Sequence, residues 1–288
     1  MLRGAGLGYA RLDRGGRAPP ATHDTKTRMT GSIAAPAVPF DQAMLDLRAH
    51  GYAVVTPPAW CAAFGVDPVS LPSLADSWDR LPPDAWLRDG GRYRRRRHAC
   101  YWADGRRAAE GGRLEAVPHR PHWQPVAYNA LHGGLERWFE PVEPAVEAHP
   151  AWVPLLTGLA ACATVLCGRP AGDGRWAVEV HPFRIDTTDG IGRPTPEGAH
   201  RDGVDLVAVL LVARAGVKGG ETRVFDADGP AGLRFTLIEP WTLLLVDDAR
   251  VIHETTPIQP LDPAVGGHRD TLVVTCRAGG FQGPPDPR

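Results

Sequence analysis

The apolar positions change period along the chain. Between residues 36 and 88 they recur at helical spacing. "DQAMLDLRAHGYAVV" (41–55) carries apolar residues at Met44, Leu45 and Leu47 and reads as a helix. Gly51 suits its end, and "YAVV" follows as a short strand. "DPVSLPSLADSWDRLPPDAW" (67–86) predicts a second helical stretch, opened by Asp or Ser and stopped at Pro82–Pro83. "EPAVEAHPAWVPLLTGLAACATVLCG" (143–168) predicts a third, with a continuous small-apolar face and a break or new start at Pro154.

From about residue 174 the pattern turns to short strands. "WAVEVHPFRI", "VDLVAVLLVA", "ETRVFDA", "RFTLI", "WTLLLVDDARVIHE" and "DTLVVTCR" are separated by Gly, Pro and Asp turns. Such a run predicts an antiparallel sandwich or barrel. Helices first and strands later give an α+β fold, in which N-terminal helices pack on a β-barrel. No linker divides residues 36–288, so they read as one domain with its β core at about 174–277. Residues 1–35 are rich in Arg, Gly and small residues and poor in periodicity. They read as a disordered leader, for which a transit peptide or a true start at Met29 are the alternatives.

Composition narrows the function classes. The formal net charge of −1, from 32 Lys+Arg against 33 Asp+Glu, offers no field for nucleic acid or an anionic membrane. The longest apolar run, "LVAVLLVA" (206–213), has the length of a strand and not of a membrane span. The five cysteines are odd in number and form no Cys-x-x-Cys pair, which reads as buried thiols in a cytoplasmic protein. The basic run "GRYRRRRHACYWADG" (91–105) reads as a strand with solvated or salt-paired arginines. Residues 121–139 mix aromatics, amides and a Gly pair, as in a loop held against a pocket. Gly219 and Gly220 suit a tight turn.

The chemistry concentrates in "GAHRDGVDLV" (198–207). His200 and Asp202, two residues apart at the apparent start of a strand, point to the same side of an extended chain. His253, ending the strand in "VDDARVIHETTP", supplies a third ligand. Two histidines and one carboxylate on one face form the facial triad of non-haem Fe(II) oxygenases, which leaves positions open. In "GHRDTLVV", Arg269 and Thr271 share one face of the last strand with Val273. A guanidinium at the bottom of an apolar barrel calls for a carboxylate partner. A structural zinc site would instead need a fourth protein ligand, for which His181 and His268 are the candidates. Glu197 is placed to orient a ligand, and Asp247 or Asp248 to bond a ligand histidine or a backbone turn.

Residues 90–277 resemble the bacterial 2-oxoglutarate/Fe(II) dioxygenases that hydroxylate free L-amino acids, the group typified by isoleucine 4-hydroxylase. The matching stretches are "HPFRI", "PTPEGAHRDGVDLVAVLLVAR", "VKGGETRVFD", "LLLVDDARVIHETTPI" and "GHRDTLVV". "RYRRRRHACYW" and "HWQPVAYNALHGGLERWF" also match. The resemblance implies a double-stranded β-helix of the jelly-roll or cupin type. It implies Fe(II) on His200, Asp202 and His253, and 2-oxoglutarate on Arg269 with help from Thr271, O2 being the other co-substrate. It further implies oxidation of an unactivated C–H of a small amino acid, coupled to decarboxylation of 2-oxoglutarate to succinate. Asp202 fills the carboxylate position that related halogenases leave empty. Tyr128, Asn129, Arg137 and Arg184 are the candidate substrate residues, since an α-amino acid calls for a cation and an anion. Desaturation or cyclisation at the same centre, and a non-catalytic cupin-like metal module, are the rival readings.

Overall fold

The computed structural model describes residues 37–167, 175–229 and 231–285. The expected leader, 1–35, lies outside the described residues. The N-terminal part runs β1 (Ala37–Val38), α1 (Phe40–His50), β2 (Tyr52–Val55), α2 (Pro57–Phe64) and α3 (Leu71–Ala75). It continues with β3 (Arg94–Arg96), β4 (Ala99–Ala103), β5 (Leu114–Ala116), α4 (Pro144–Glu147) and α5 (Trp152–Leu166). The strand-rich part comprises β6 (Trp176–Asp186), β7 (Leu206–Ala215), β8 (Val217–Gly219), β9 (Thr222–Asp226) and β10 (Gly232–Phe235). It ends with β11 (Leu243–Asp247), β12 (Val251–Thr255), β13 (Ile258–Pro260) and β14 (His268–Arg277).

Several boundaries follow from local chemistry. Helix α1 stops at Gly51, whose φ of 80° is the left-handed conformation that glycine adopts without a Cβ clash. Helix α5 begins at Trp152, so Pro154 falls in its first turn, where a missing N–H costs nothing. The stretch "WTLLLVDDARVIHE", one apolar run in sequence, is two strands in different sheets, joined by a turn at 248–250.

A nine-stranded sheet forms the backbone of the fold, in the order β1-β2-β11-β7-β14-β6-β4-β5, with β3 also paired to β6. A small sheet, β10-β9-β12, and the β13-β8 pair complete the strands among the described residues. Strand periodicity assigns the two faces. Leu206, Ala208, Leu210 and Val212 of β7 join the helices in the main core, with Trp60, Trp152 and Leu159. Val207 and Leu211 face the other way, onto Val224, Phe235 and Val251 of the small sheet and its turns. Helix α5 lies close under α2: a Cβ on Gly158 would fall 2.4 Å from the Phe64 ring. Trp60, Trp78, Trp152 and Trp176 are fully buried. Each removes roughly 150–250 Å² from water, on the order of 4–6 kcal/mol before entropic costs. The Trp78 indole N–H is shared by the carbonyls of Phe183 (3.0 Å) and Thr271 (3.2 Å), which ties the helical layer to β6 and β14.

The arginine run differs from its expected form. Arg95 and Arg97 are paired near the surface with Asp186 and Glu143, but Arg94 and Arg96 point inward and are 5% and 3% exposed. Strand β3 pairs with β6, and alternation therefore turns every second arginine into the molecule. Arg94 meets buried Asp84 at 2.6 Å. Arg96 is sandwiched between the rings of Phe139 and Phe183, 3.8 and 4.2 Å from their centroids.

Candidate active site

Strand alternation builds one wall of a cavity. Arg269, Thr271, Val273, Thr275 and Arg277 of β14 line it, as do Glu179, His181, Phe183 and Ile185 of the neighbouring β6. The cavity measures about 140 Å³, and His200, Asp202 and His253 also line it.

His200 and Asp202 do not start a strand, because β7 begins only at Leu206. His200 instead forms a lone antiparallel bridge with His253, each N–H donating to the other's carbonyl at 3.0 Å. The bridge sets the two imidazoles side by side, with ring centroids 4.7 Å apart. Asp202 is held by Asp248, whose carboxylate accepts the backbone N–H groups of Asp202, Gly203 and Val204 at 2.7–3.1 Å. The backbone turns there through Gly203, at φ 76°. Of the two neighbouring aspartates, Asp248 thus clamps the ligand loop, while Asp247 accepts from Ala249 in the adjoining turn.

The donor set fits a divalent metal ion. The candidate ligand atoms of His200, Asp202 and His253 all lie within 4.8 Å of one another. His200 Nε2 is 3.8 Å from Asp202 Oδ1, and His253 Nε2 is 3.7 Å from Oδ2. These spacings are too wide for hydrogen bonds and leave the lone pairs free. The His200 Nδ1–H donates to the Gly198 carbonyl at 2.9 Å, which fixes the tautomer that frees Nε2. Burial and the neighbouring His200 push His253 down to about 3, so it stays a neutral ligand. Glu197 does not reach the outer nitrogen of His200. Its Oε1 is 3.5 Å from Nε2, on the side facing the cavity. Neither His181 nor His268 joins the triad.

Gln124 connects this centre to the 121–139 segment, and sequence reasoning had not singled it out. Its Oε1 accepts from Asn129 Nδ2 (3.0 Å) and Arg137 Nη2 (2.9 Å). Two donors on one side fix the amide orientation, so Nε2 donates to Asp202 Oδ1 at 2.9 Å. One carboxylate oxygen is thereby occupied and the other is left for the metal. Gln124→Ala is expected to weaken Fe(II) affinity or turnover about 10–100-fold, the usual cost of losing a partner behind a metal ligand. A titration of activity against Fe(II) checks this, and an unchanged curve would count against the contact.

Arg269 is 3% exposed, and its guanidinium makes no hydrogen bond or ion pair to any described residue. Burial and nearby Arg214 lower it to about 10, which still leaves it cationic at neutral pH. A buried guanidinium of this kind, facing a cavity, fits an anionic ligand end.

The four candidate substrate residues separate. Arg137, 2% exposed, and Asn129, 5% exposed, both line the cavity. Asn129 spends its side chain on Gln124 and on the His132 backbone N–H. Tyr128 packs against Gly203, where a Cβ would fall 2.6 Å from its ring, and lies near Arg201. Arg184 points away: it binds Asp270 through two hydrogen bonds (2.7 and 2.8 Å) and also pairs with Asp79. Among the cavity residues that sequence reasoning missed are Arg94, Arg96, His122, Gln124 and Glu179. Glu179 and His181 alternate with apolar residues in "AVEVHPF", the same two-residue spacing that marked His200 and Asp202.

Comparison with known proteins agrees with this geometry. A bsmA homolog from Methylobium petroleophilum PM1 is 52% identical, covering 86% of this chain and 97% of that one, with a TM-score of 0.79. IDO from Bacillus thuringiensis has a TM-score of 0.66 at 16% identity, covering 83% of this chain and 98% of that one, and shares the fold. No curated protein matches the sequence. The family model for 2OG-Fe dioxygenase matches residues 75–275, so the chain belongs to the 2OG-Fe dioxygenases and uses Fe(II), 2-oxoglutarate and O2.

Proposed function

We propose that the protein hydroxylates an unactivated C–H of a free L-amino acid or a small amino-acid-derived metabolite, within a double-stranded β-helix. Membership of an oxygenase family favours catalysis over a non-catalytic metal module. His200, Asp202 and His253 would hold Fe(II). Arg269, with Thr271 two residues along the same face, would receive the distal carboxylate of 2-oxoglutarate. Bound there, the iron and 2-oxoglutarate supply an oxidant strong enough for an aliphatic C–H. The chain's own residues hold the co-substrate, orient the substrate and keep water out.

One observation carries the substrate class. Arg96, Arg137, Glu179 and Glu197 line the cavity beyond the triad. Arg96 and Arg137 are almost fully buried, and each has a guanidinium N–H without a protein partner. Glu197 Oε2 is likewise buried without a donor. Two cations and one anion with unspent hydrogen-bonding capacity, beside the Glu179 carboxylate that His122 and His98 already hold, complement a compact zwitterion. The net charge of −1 gives no steering field for a polyanion.

The test is succinate release with Fe(II), 2-oxoglutarate and a panel of free L-amino acids, short peptides and carrier-bound amino acids. A free amino acid is expected to stimulate release and to gain one oxygen. Loss of two hydrogens without added oxygen would indicate desaturation or cyclisation. Stimulation by tethered forms alone would overturn the free-amino-acid reading.

A further inference from the structure

A second cluster of metal-binding residue types lies beside the triad. His98, His122, Glu179 and His181 are buried, with donor atoms within 4.8 Å of one another. Its chemistry is different. Glu179 Oε2 is 2.6 Å from His122 Nδ1 and 3.1 Å from His98 Nε2. Those are hydrogen-bond distances, whereas the nearest triad atoms stand 3.7–3.8 Å apart. Arg96 Nη2 is 2.6 Å from His181 Nδ1. A guanidinium only donates, so this nitrogen accepts, and the His181 proton sits on Nε2, 3.8 Å from Glu179. A metal at Glu179 would need that same Nε2 as a lone pair. The carboxylate is therefore already held by two N–H groups, those of His122 and His98, and the His181 nitrogen nearest to it carries a proton.

That arrangement leaves one acceptor. With its Nδ1–H on Glu179, His122 carries a lone pair on Nε2, which bonds to no described residue, and the ring lines the cavity. Building on the amino-acid reading above, we propose that His122 Nε2, backed by the Glu179 carboxylate, is the seat for the substrate's ammonium group, with Arg137 left to take its carboxylate.

The surroundings favour this assignment. Arg137, facing the same cavity, commits Nη2 to Gln124 and keeps other N–H groups unspent. Burial drives His122 down to about 3, so it is a neutral acceptor at physiological pH. Burial alone would raise Glu179, but His122 and His98 hold it well below the usual carboxylate range. The pair thus presents a lone pair with a full negative charge behind it, as a cationic donor requires. His98, stacked on His181 with ring centroids 4.8 Å apart, also bonds the carboxylate at 3.1 Å.

The experiment pairs free L-amino acids with their counterparts that lack the amino group. Affinity is measured by calorimetry on the Fe(II)–2-oxoglutarate enzyme without oxygen, and succinate release is measured separately. The wild type is expected to prefer the amino acid by about 10–100-fold, the range for a hydrogen bond to a charged group. His122→Phe and Glu179→Gln should abolish that preference, and His122→Gln, which keeps an acceptor, should restore part of it. Thermal melting confirms that each variant is folded. Equal binding of the two ligand classes by the wild type, or a preference that survives in His122→Phe, would overturn the seat. So would a second equivalent of bound metal that disappears with His122. Tight binding of an amino acid without succinate release would overturn hydroxylation and leave the seat standing.

Discussion

Replacing Asp202 or His200 by alanine is expected to abolish turnover, with a loss of at least about a thousandfold, and to remove Fe(II) binding while the fold persists. A metal acting on a reacting group contributes several kcal/mol, and its loss carries through to the rate. The fold should survive because both residues lie in the loop between β6 and β7, outside the apolar clusters. Asp202→Ala has a second signature. Burial and the charge of Asp202 raise Asp248 to about 6. A carboxyl raised on folding binds protons more tightly in the native state. Its ionisation therefore costs the metal-free protein stability as pH climbs from the ordinary carboxylate range through about 6. Removing the Asp202 charge should flatten that fall. Urea midpoints of the metal-free proteins between pH 4.5 and 7.5 check this, alongside iron content and succinate release. Full activity in either alanine variant would refute the triad.

Arg269→Ala should raise the 2-oxoglutarate dissociation constant by roughly 30- to 5,000-fold, which corresponds to the 2–5 kcal/mol lost when one partner of a buried charged pair is truncated. Lysine should recover only part of this, because it keeps the charge and loses the planar fork. Without ligand the same substitution should not destabilise the protein and is expected to raise its melting temperature. Arg269 is then a buried cation without a carboxylate partner, and its removal relieves that cost. With 2-oxoglutarate the order should reverse, since only the wild type gains the stabilisation that tight binding gives. Two melting series, with and without 2-oxoglutarate, separate these effects. An unchanged dissociation constant would move the carboxylate site elsewhere, and Arg214, beside Arg269, is the cation to test next.

Features that depend on local period and on residue type are legible in the chain. The end of α1 at Gly51, the strand texture after residue 174 and the inward face Arg269–Thr271–Val273 are all consequences of backbone geometry that repeats every few residues. Two histidines and an aspartate of the triad were legible because metal chemistry restricts residue types so strongly. Pairings across long separations emerge only once the chain is folded. Asp248 was one of two adjacent candidates until its contacts with residues 202–204 distinguished it. Arg94 and Arg96 looked like surface arginines until the pairing of β3 with β6 turned them inward. Arg184, a plausible clamp in sequence, is used up by Asp270 on the adjacent strand. Gln124 and His122 lie in a stretch that resembles the family, yet their roles come from Asp202, 78 residues away, and Glu179, 57 residues away. A strand's period states which side chains share a face. The partner that each polar group meets there depends on how distant segments pack, and in a buried cavity that partner decides whether the group is spent on the fold or free to bind.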